Sequence, residues 1–359
     1  MECIVVGAGT SGLMLARELA RDGIYPTVYE RKAKGAPIKQ SSGILSVSGL
    51  RSLGISPRGI ELNKLYAANI YFGSIGLKVR SEKLQAYTID RTLLSKRLAE
   101  EAASNGARLE YNKTLTKSEL TTTKGIIVGA DGAASLVASH FGFPSIERII
   151  LTYRAEYKTR KEDMESVDIF FDNEITKGFF GWVAPHGDDI EVGVGIDEKF
   201  GRSIDAFRRF TMKKSVKELI KNARLIGGWA SIIPLSLRRY FVDEKRKVLL
   251  VGDAAGQVKS TTGGGIIFGG NGAIIAAKAI SNHIQFGDRL VEYQRAWLKE
   301  FGKDVRLHNL IHSIYSSLSN RQLELFARAL KAIGIEGILS KYGDMDRPSL
   351  IIKRLLRLD

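Results

Sequence analysis

Apolar residues follow two different spacings along this chain, and the change from one to the other marks its organisation. Short unbroken apolar runs occupy residues 3–6, 126–128 and 248–251, as is typical of strands buried on both faces of a parallel sheet. Residues 61–85 and 150–235 alternate apolar and polar positions instead. That period of two predicts antiparallel strands of a second sheet.

Helical spacing follows the first run and returns near the end of the chain. Leu13, Ala16, Leu19 and Ala20 recur on one helical face, and Gly23 is placed to end that helix. Four further helices are predicted at residues 294–301, 305–317, 321–332 and 350–358. The order of elements predicts an α/β fold with an inserted antiparallel sheet and a helical C-terminal region.

Composition describes a core-forming chain. It has 359 residues, of which 44% are hydrophobic, enough for one large or two ordinary domains. The single cysteine, Cys3, excludes an internal disulfide and suits a reducing cytoplasm. The first apolar run breaks at Gly7, which argues against a signal peptide. No apolar run has the roughly 18 residues of a membrane span.

Charge adds a preference for anionic partners. Lys and Arg number 54 against 39 Asp and Glu, a formal net charge of +15, which attracts nucleic acid, acidic lipid headgroups or phosphorylated substrates. The chain carries neither zinc-ligand spacing nor an aromatic RNA-binding signature, so no nucleic-acid partner and no metal are predicted.

The clearest motif lies between the first predicted strand and the first helix. Gly7, Gly9 and Gly12 form a GxGxxG turn, and a second strand ends on Glu30, with Arg31 beside it. In this context the glycines and the helix N-terminus favour a pyrophosphate, and the acid favours ribose hydroxyls. The prediction is a dinucleotide with an unphosphorylated adenosine ribose, NAD or FAD. The alternative is a glycine turn without a ligand.

Two later strand ends and one helix start extend the motif set. One apolar run leads into Asp131-Gly132, another leads into Gly252-Asp253, and Arg91 opens a predicted helix. Together with the first motif these resemble the FAD-binding flavoproteins of the para-hydroxybenzoate hydroxylase type, over most of the chain. The resemblance implies that Asp253 binds the ribityl chain of FAD, that Asp131-Gly132 supports the pyrophosphate region and that Arg91 contacts the cofactor. For Arg91 a surface salt bridge is the alternative.

The resemblance also implies the domain organisation and a role for a second glycine run. Gly263, Gly264 and Gly265 would let backbone N–H groups approach the flavin ring before a helix opens. The implied arrangement is a discontinuous Rossmann-type FAD-binding domain at residues 1–60, 86–149 and 240–285, a β-sheet substrate domain at 61–85 and 150–239, and a helical region at 286–359.

Three segments resemble one branch of that fold, the geranylgeranyl reductases of archaeal type. They are residues 259–266, similar to a PxTGGGI loop with Ser260 in place of proline, residues 180–185, similar to YxWxFP, and residues 342–348. The branch implies FAD-dependent hydrogenation of C=C bonds in geranylgeranyl chains of archaeal membrane phospholipids or their precursors, with hydride from reduced flavin and a proton from another group. Implied substrate contacts, for which plain core packing is the alternative, are Phe180, Trp182, Pro185 and Ile267.

One departure concerns a cysteine that family members typically carry after the second strand. Here Ser41 or Ser42 takes that position, and a hydroxyl cannot act as a thiolate. The implied catalytic positions are therefore Ser41, Ser42, Gly264 and Gly265.

The branch further implies an isoprenoid lipid as partner and an external electron donor, either reduced ferredoxin or NAD(P)H. A cytoplasmic protein at the inner face of the cell membrane would fit, with residues 350–358 as an interfacial helix or a helix docked on the protein's own core. Rival hypotheses are reduction of a quinone's isoprenoid tail, flavin-dependent monooxygenation on the same fold, and a flavin-binding protein without activity.

Overall fold

A computed structural model gives the structure of residues 2–38 and 42–355, without the side chains of residues 352–355. The strands in this part of the chain are β1 Cys3–Val6, β2 Thr27–Glu30, β3 Ile44–Ser46, β4 Glu61–Leu65, β5 Ala67–Phe72, β6 Ile75–Arg80, β7 Ala86–Ile89, β8 Arg108–Tyr111, β9 Ile126–Gly129, β10 Ile149–Lys158, β11 Ser166–Phe171, β12 Gly181–His186, β13 Asp189–Asp197, β14 Arg224–Pro234, β15 Val242–Asp243 and β16 Val248–Leu250.

The helices in the same part are α1 Thr10–Arg21, α2 Val47–Ser52, α3 Arg91–Ser104, α4 Lys117–Thr122, α5 Leu136–His140, α6 Ser203–Thr211, α7 Lys214–Ile220, α8 Ile266–Phe286, α9 Glu292–Ser317, α10 Asn320–Ala332, α11 Ile335–Tyr342 and α12 Pro348–Leu355. Short 3₁₀ turns occupy Glu198–Phe200 and Gly252–Ala254. Among the described helices none has both the length and the apolarity needed to cross a bilayer.

The chain forms two compact units. The first comprises residues 1–38, 91–147 and 234–305, and the second comprises residues 39–90, 148–233 and 306–359. These divisions differ from the domain boundaries predicted at 60, 85 and 285, because β3 and β4 pair with β7 within the second unit and the division falls inside α9.

The first unit is built on a six-stranded sheet in the order β15-β16-β9-β1-β2-β8. All its pairs are parallel except β15–β16. Every residue of β1 is buried, and Val5 pairs with Val28 on one side and Val128 on the other. The unbroken apolar runs thus form the centre of a parallel sheet, as the sequence predicts.

The second unit contains a seven-stranded sheet in the order β14-β10-β13-β12-β11-β5-β6. It is mixed rather than antiparallel, since β5 pairs with β11 in parallel, Ala67 to Ser166 through Phe72 to Phe171. β5 and β11 come from distant chain segments, so no hairpin forces them to run in opposite directions.

Strand alternation gives this sheet two different faces. Ile190, Val192, Val194 and Ile196 of β13 pack in a core with α6, while Glu191 and Gly193 lie on the opposite face. The opposite face is apolar at its β5–β6 end, where Phe72 and Leu77 pack against residues of α9 and α10.

The C-terminal region is helical, with two differences from the prediction. The two helices expected at 294–301 and 305–317 are one continuous helix, α9, because Gly302 is accommodated within it. Helix α11 was missed; it begins after Gly334, which adopts a left-handed conformation. The last expected helix is α12, and its predicted residues 356–358 lie outside the described part of the chain.

Candidate functional site in the parallel-sheet unit

The first glycine turn has the geometry that a phosphate loop needs. Gly7 has φ +104°, and a Cβ there would lie 2.5 Å from the carbonyl oxygen of Ala130. A Cβ on Gly12 would overlap the carbonyl oxygen of Gly7, whereas a Cβ on Gly9 would meet nothing within 4 Å. Gly7 and Gly12 therefore allow close backbone packing, and Gly9 leaves space in front of the N-terminus of α1.

Glu30 closes β2 directly beside this turn. Its Oε2 accepts a hydrogen bond of 2.8 Å from the Ala8 N–H, and its Oε1 accepts one of 2.9 Å from the Lys32 N–H. These bonds fix the carboxylate at the glycine turn, where a ribose hydroxyl could donate to it. Arg31 is exposed in the bend after β2.

Asp253 lies in the 3₁₀ turn after β16. Gly252 starts this turn at φ +64°, and a Cβ on it would lie 2.5 Å from Ser11 Oγ in α1. Burial raises the pKa of Asp253 to about 6, and the Arg91 guanidinium opposes that rise. Arg91 also donates a 2.7 Å hydrogen bond to Thr10 Oγ1. The structure thus places Arg91 beside the first residue of α1, next to the glycine turn.

The second glycine run is a compact loop that closes on Asp253. Gly263 has φ +71°, and its N–H donates to the Lys259 carbonyl at 2.8 Å. A Cβ on Gly265, the N-cap of α8, would lie 2.6 Å from Asp253 Oδ1, and one on Gly264 would lie 2.6 Å from Lys259 Cε. Within the described chain, Thr262 Oγ1 is buried here without a hydrogen-bond partner.

Asp131 and Gly132 follow β9. Asp131 accepts hydrogen bonds of 2.6 Å from Ser135 Oγ and 3.1 Å from the Val137 N–H. Burial raises the pKa of Asp131, and these hydrogen bonds oppose the rise. Gly132 has φ +84° with open space at its Cβ position. Asp131 therefore shapes the turn before α5, and Gly132 presents bare backbone.

Sequence reasoning missed a buried polar relay that supports the Gly252 turn. Gln257 Oε1 accepts a 2.8 Å bond from the Gly252 N–H, and Gln257 Nε2 donates at 2.9 Å to Tyr293 Oη, which donates at 3.0 Å to the Leu250 carbonyl. The sequence pointed to Gln257 only in that it is a polar residue inside a glycine-rich apolar stretch. Nothing in the sequence pointed to Tyr293, which lies in α9, far from the turn along the chain.

These features fit FAD, a long, flat, anionic cofactor. The fold brings together all the cofactor positions predicted from sequence except Arg31 around one edge of the parallel sheet. The open backbone at Gly9 and the N-terminus of α1 suit a pyrophosphate, Glu30 suits a ribose, and the orphaned Thr262 hydroxyl stands beside the glycine loop.

Polar and aromatic residues of the mixed sheet

The sheet face of the second unit opposite α6 carries a tryptophan fixed by buried charges. Trp182 Nε1 donates a 2.7 Å hydrogen bond to Glu191 Oε1. A Cβ on Gly193 would overlap the Trp182 indole, so this glycine lets the ring lie on the strand. Arg154 Nη1 forms an ion pair with Glu191 and another, of 3.2 Å, with Glu156.

The same cluster includes a histidine. His186 Nε2 lies 3.6 Å from Glu156 Oε1, and ligand atoms of Glu156, His186 and Glu191 all lie within 4.8 Å of one another. That set of donors is one a cation could use. Arg154 already lies between the two carboxylates and stacks 5.1 Å from the centre of the Trp229 ring, so it acts as their counter-ion.

The predicted substrate residues lie on different faces of the mixed sheet and in different units. Phe180 packs within 6.0 Å of the Trp182 ring centre and stacks on Phe179 at 4.2 Å. Pro185 pairs with Ile190 and lies on the α6 side of the sheet, away from Trp182. Ile267 is a buried residue of α8 in the first unit.

The serine positions are only partly described. Ser41 lies outside the described residues, and Ser42 is half-buried just before β3. The one cysteine does not substitute for the family thiol: Cys3 is buried in β1, and burial raises its pKa to about 12.

Comparisons with known proteins

A family profile described as the FAD binding domain matches residues 1–290. An uncharacterised protein of Methanocaldococcus jannaschii is 30% identical over all of this chain and 95% of its own length. The digeranylgeranylglycerophospholipid reductase of the same organism is 27% identical, over 92% of this chain and 90% of the relative.

The structure of a geranylgeranyl bacteriochlorophyll reductase-like protein from Thermoplasma acidophilum shares the fold. Its TM-score is 0.83 at 20% identity, over 99% of this chain and 95% of that one. These matches confirm the predicted fold class, the FAD cofactor and the resemblance to geranylgeranyl reductases. The chain belongs to the FAD-binding-domain family, and it is an FAD-dependent oxidoreductase.

Proposed function

We propose that this protein hydrogenates C=C bonds of the geranylgeranyl chains of an archaeal glycerophospholipid or its precursor. The observation that carries the proposal is the joint presence of a complete FAD cradle and end-to-end similarity to a digeranylgeranylglycerophospholipid reductase. The proposal concerns the substrate and the roles of individual residues, beyond the shared cofactor and fold.

In this proposal, FAD is held entirely by the first unit. The Gly7–Gly12 turn and the N-terminus of α1 bind the pyrophosphate, and Glu30 accepts from the adenosine ribose. Asp253 accepts from the ribityl hydroxyls, and Arg91 balances its charge. The 263–265 loop donates backbone N–H groups toward the flavin ring. When bound, FAD supplies the hydride for the reduction.

The mixed sheet supplies an aromatic wall for the isoprenoid chain in this proposal. Phe180 contacts the Trp182 ring edge-on, with 6.0 Å between the ring centres, and Glu191 fixes the indole plane of Trp182. An ordered indole face stabilises positive charge that develops on an alkene carbon during reduction. Pro185 lies on the α6 side of the sheet and makes no contact with substrate in this scheme.

The proton for the second carbon comes from a group other than a cysteine. Cys3 is enclosed in the parallel sheet with a pKa of about 12, so its thiol neither ionises near neutral pH nor reaches substrate. Ser42 is retained as a positioning hydroxyl in this proposal, because serine is a far weaker acid than a thiol.

The test uses purified protein with bound FAD, reduced with dithionite in the absence of oxygen. A digeranylgeranyl phospholipid is added, flavin absorbance is followed, and the lipid mass is measured. We expect the absorbance of oxidised flavin to return while the lipid gains two hydrogen atoms per reduced bond. NAD(P)H and reduced ferredoxin, each replacing dithionite, then identify the donor.

A saturated phospholipid with the same headgroup is the matched control, and it should leave the flavin reduced. If the unsaturated lipid also leaves it reduced, the proposed substrate is wrong. A gain of two hydrogen atoms per bond in the side chain of a prenylated quinone, with the phospholipid unchanged, would establish the quinone-tail alternative. Oxygen insertion into an added aromatic substrate, after oxygen is admitted, would establish monooxygenation.

A further inference from the structure

The positive charge of this protein is concentrated in one segment of the second unit. Residues 199–226 contain nine Lys and Arg but two Asp and Glu, a net charge of +7 out of +15 for the whole chain. The segment comprises α6, α7 and the start of β14. Fewer than one residue in ten therefore carries almost half of the net charge.

Part of this charge is already balanced within the fold. Lys213 pairs with Asp172 at 2.6 Å, and Arg202 pairs with Asp205 at 2.8 Å. Arg209 donates to the carbonyl of Glu174 at 3.0 Å. Lys213 and Arg209 connect α6 and its C-terminal flank to residues 172–174, whereas the Arg202–Asp205 pair lies within the N-terminal turn of α6.

Within residues 212–226, four basic residues are exposed and form no ion pair with the described residues: Lys214, Lys217, Lys221 and Arg224. Lys214, Lys217 and Lys221 are spaced by three and four residues and so share one face of α7. Val216 on the inner face is buried in the core with α6. Glu218 is the one acidic residue in the sequence from Lys214 to Arg224.

Apolar side chains flank the stripe in exposed positions. Met212, just before α7, is 65% exposed, and Leu225 and Ile226, at the start of β14, are 56% and 48% exposed. Gly228 lies against the Tyr153 hydroxyl on the α6 side of the sheet, so by alternation Ile226 faces that side as well. Basic and apolar groups thus share the side of the unit that carries α6 and α7.

We propose that residues 212–226 form a docking surface for an anionic lipid bilayer. Exposed lysines would lie at the level of acidic headgroups, and Met212 and Ile226 would reach the acyl boundary. This deepens the proposed function, on which its biological meaning rests, because a reductase of membrane phospholipids must meet its substrate at a bilayer surface.

The chemistry of the surface favours lipid over the two other partners. A second copy would bring the same net positive segment against itself and would be repelled. Nucleic acid would use the lysines, but it would leave the exposed Met212 and Ile226 side chains in water. A bilayer is the partner that accommodates both groups.

The experiment is vesicle co-sedimentation of the full-length holoprotein. The vesicles contain equal parts of phosphatidylglycerol and phosphatidylcholine and no isoprenoid lipid, so binding is measured independently of turnover. Two variants of equal net charge are compared. One is K214Q/K217Q/K221Q in the docking surface, and the other is K124Q/K278Q/K299Q, three exposed lysines of the first unit.

We expect the wild type and the first-unit variant to bind alike and binding to weaken with salt. Each lysine near an anionic surface contributes about fivefold in affinity, so the α7 variant should bind about a hundredfold more weakly. At high salt, where the charge attraction is screened, the double variant Met212→Ser/Ile226→Ser should bind vesicles more weakly than the wild type.

Equal binding by the two triple variants would overturn the proposal, as would a wild type that ignores anionic vesicles. A wild type that self-associates through this surface, or that binds DNA but not vesicles, would assign the surface to a second copy or to nucleic acid. None of these results would affect the reduction assay with detergent-dispersed lipid, so the docking surface and the proposed function fail separately.

Discussion

The Trp182 indole N–H donates a hydrogen bond to Glu191 on the neighbouring strand β13, and this carboxylate is itself buried and paired with Arg154. The ring lies over Gly193 because no side chain stands there. A large aromatic group in a candidate substrate wall is therefore held by a hydrogen bond, an ion pair and a missing Cβ.

Gly193→Ala should displace this indole. The added methyl group overlaps the ring, and overpacking in a well-packed site costs about 1–3 kcal/mol. We expect the free energy of unfolding to fall by that amount in urea titrations, and the tryptophan fluorescence of the native state to change. The control is Gly337→Ala in α11, where a Cβ meets nothing within 4 Å and helix propensity favours alanine. Equal stability of the two variants would contradict the role given to Gly193.

Gly9→Ala and Gly12→Ala should separate cofactor binding from folding. Gly9 has a φ that alanine adopts freely and empty space at its Cβ, so Gly9→Ala should leave the apoprotein stable but weaken FAD binding about tenfold or more. Gly12→Ala forces the start of α1 away from Gly7 and should destabilise the apoprotein itself by about 2 kcal/mol or more. Thermal unfolding of apoprotein and titration with FAD measure the two effects. Loss of apoprotein stability in Gly9→Ala would show that its space is needed for folding.

Asp253→Asn should change apoprotein stability and FAD affinity in opposite directions. Because the native pKa of about 6 exceeds the ordinary value of 3.8, the native state binds the proton more tightly than the unfolded state. The free energy of unfolding of the wild-type apoprotein should therefore fall as pH rises from about 4 to 6. The amide of the variant does not titrate, so the variant should equal the wild type near pH 4 and exceed it by about 1–3 kcal/mol at neutral pH.

FAD affinity should fall about 10- to 100-fold in the same Asp253 variant, because a charged acceptor for the ribityl hydroxyls is lost. Denaturant titrations at two pH values and fluorescence titration of FAD test the pair of effects. A variant that is less stable than the wild type at neutral pH would contradict the buried-charge account.

His312 should make the second unit sensitive to acid. Its Nε2 lies 2.9 Å from the Gly178 carbonyl and its Nδ1 lies 3.2 Å from Arg148 Nη1, an arrangement that requires the neutral ring with a proton on Nε2. Burial, joined by the Arg148 charge, lowers its pKa. The stability it contributes should be complete above about pH 6.5 and decline as pH falls below that value. His312→Gln keeps both hydrogen bonds without a titrating group, so urea titrations from pH 7 to 5 should show a shallower decline. If the free energy of unfolding of the variant declined with falling pH as steeply as that of the wild type, groups other than His312 would cause the acid sensitivity.

The sequence predicted best the features that a short residue pattern determines without help from distant residues. The apolar runs before Gly7, Asp131 and Gly252 predicted three buried strands of a parallel sheet, and the structure places β1, β9 and β16 next to one another in it. The glycine and acid positions predicted a dinucleotide for the same reason, since few backbones approach a pyrophosphate, and the family resemblance narrowed the choice to FAD. The parallel direction of the β5–β11 pair could not be predicted from the sequence, because residues alternate with a period of two in parallel and antiparallel strands alike.

The chain by itself determined the dinucleotide site, the parallel sheet and the excess of positive charge, because each depends on residue type and short spacing. Tertiary structure alone decided which distant groups meet. It set Gln257 against Tyr293, Trp182 over Gly193, and Arg154 between two glutamates. It also paired some basic residues of 199–226 and left the α7 lysines exposed. Such contacts join residues from separate segments, and no spacing along the sequence records them.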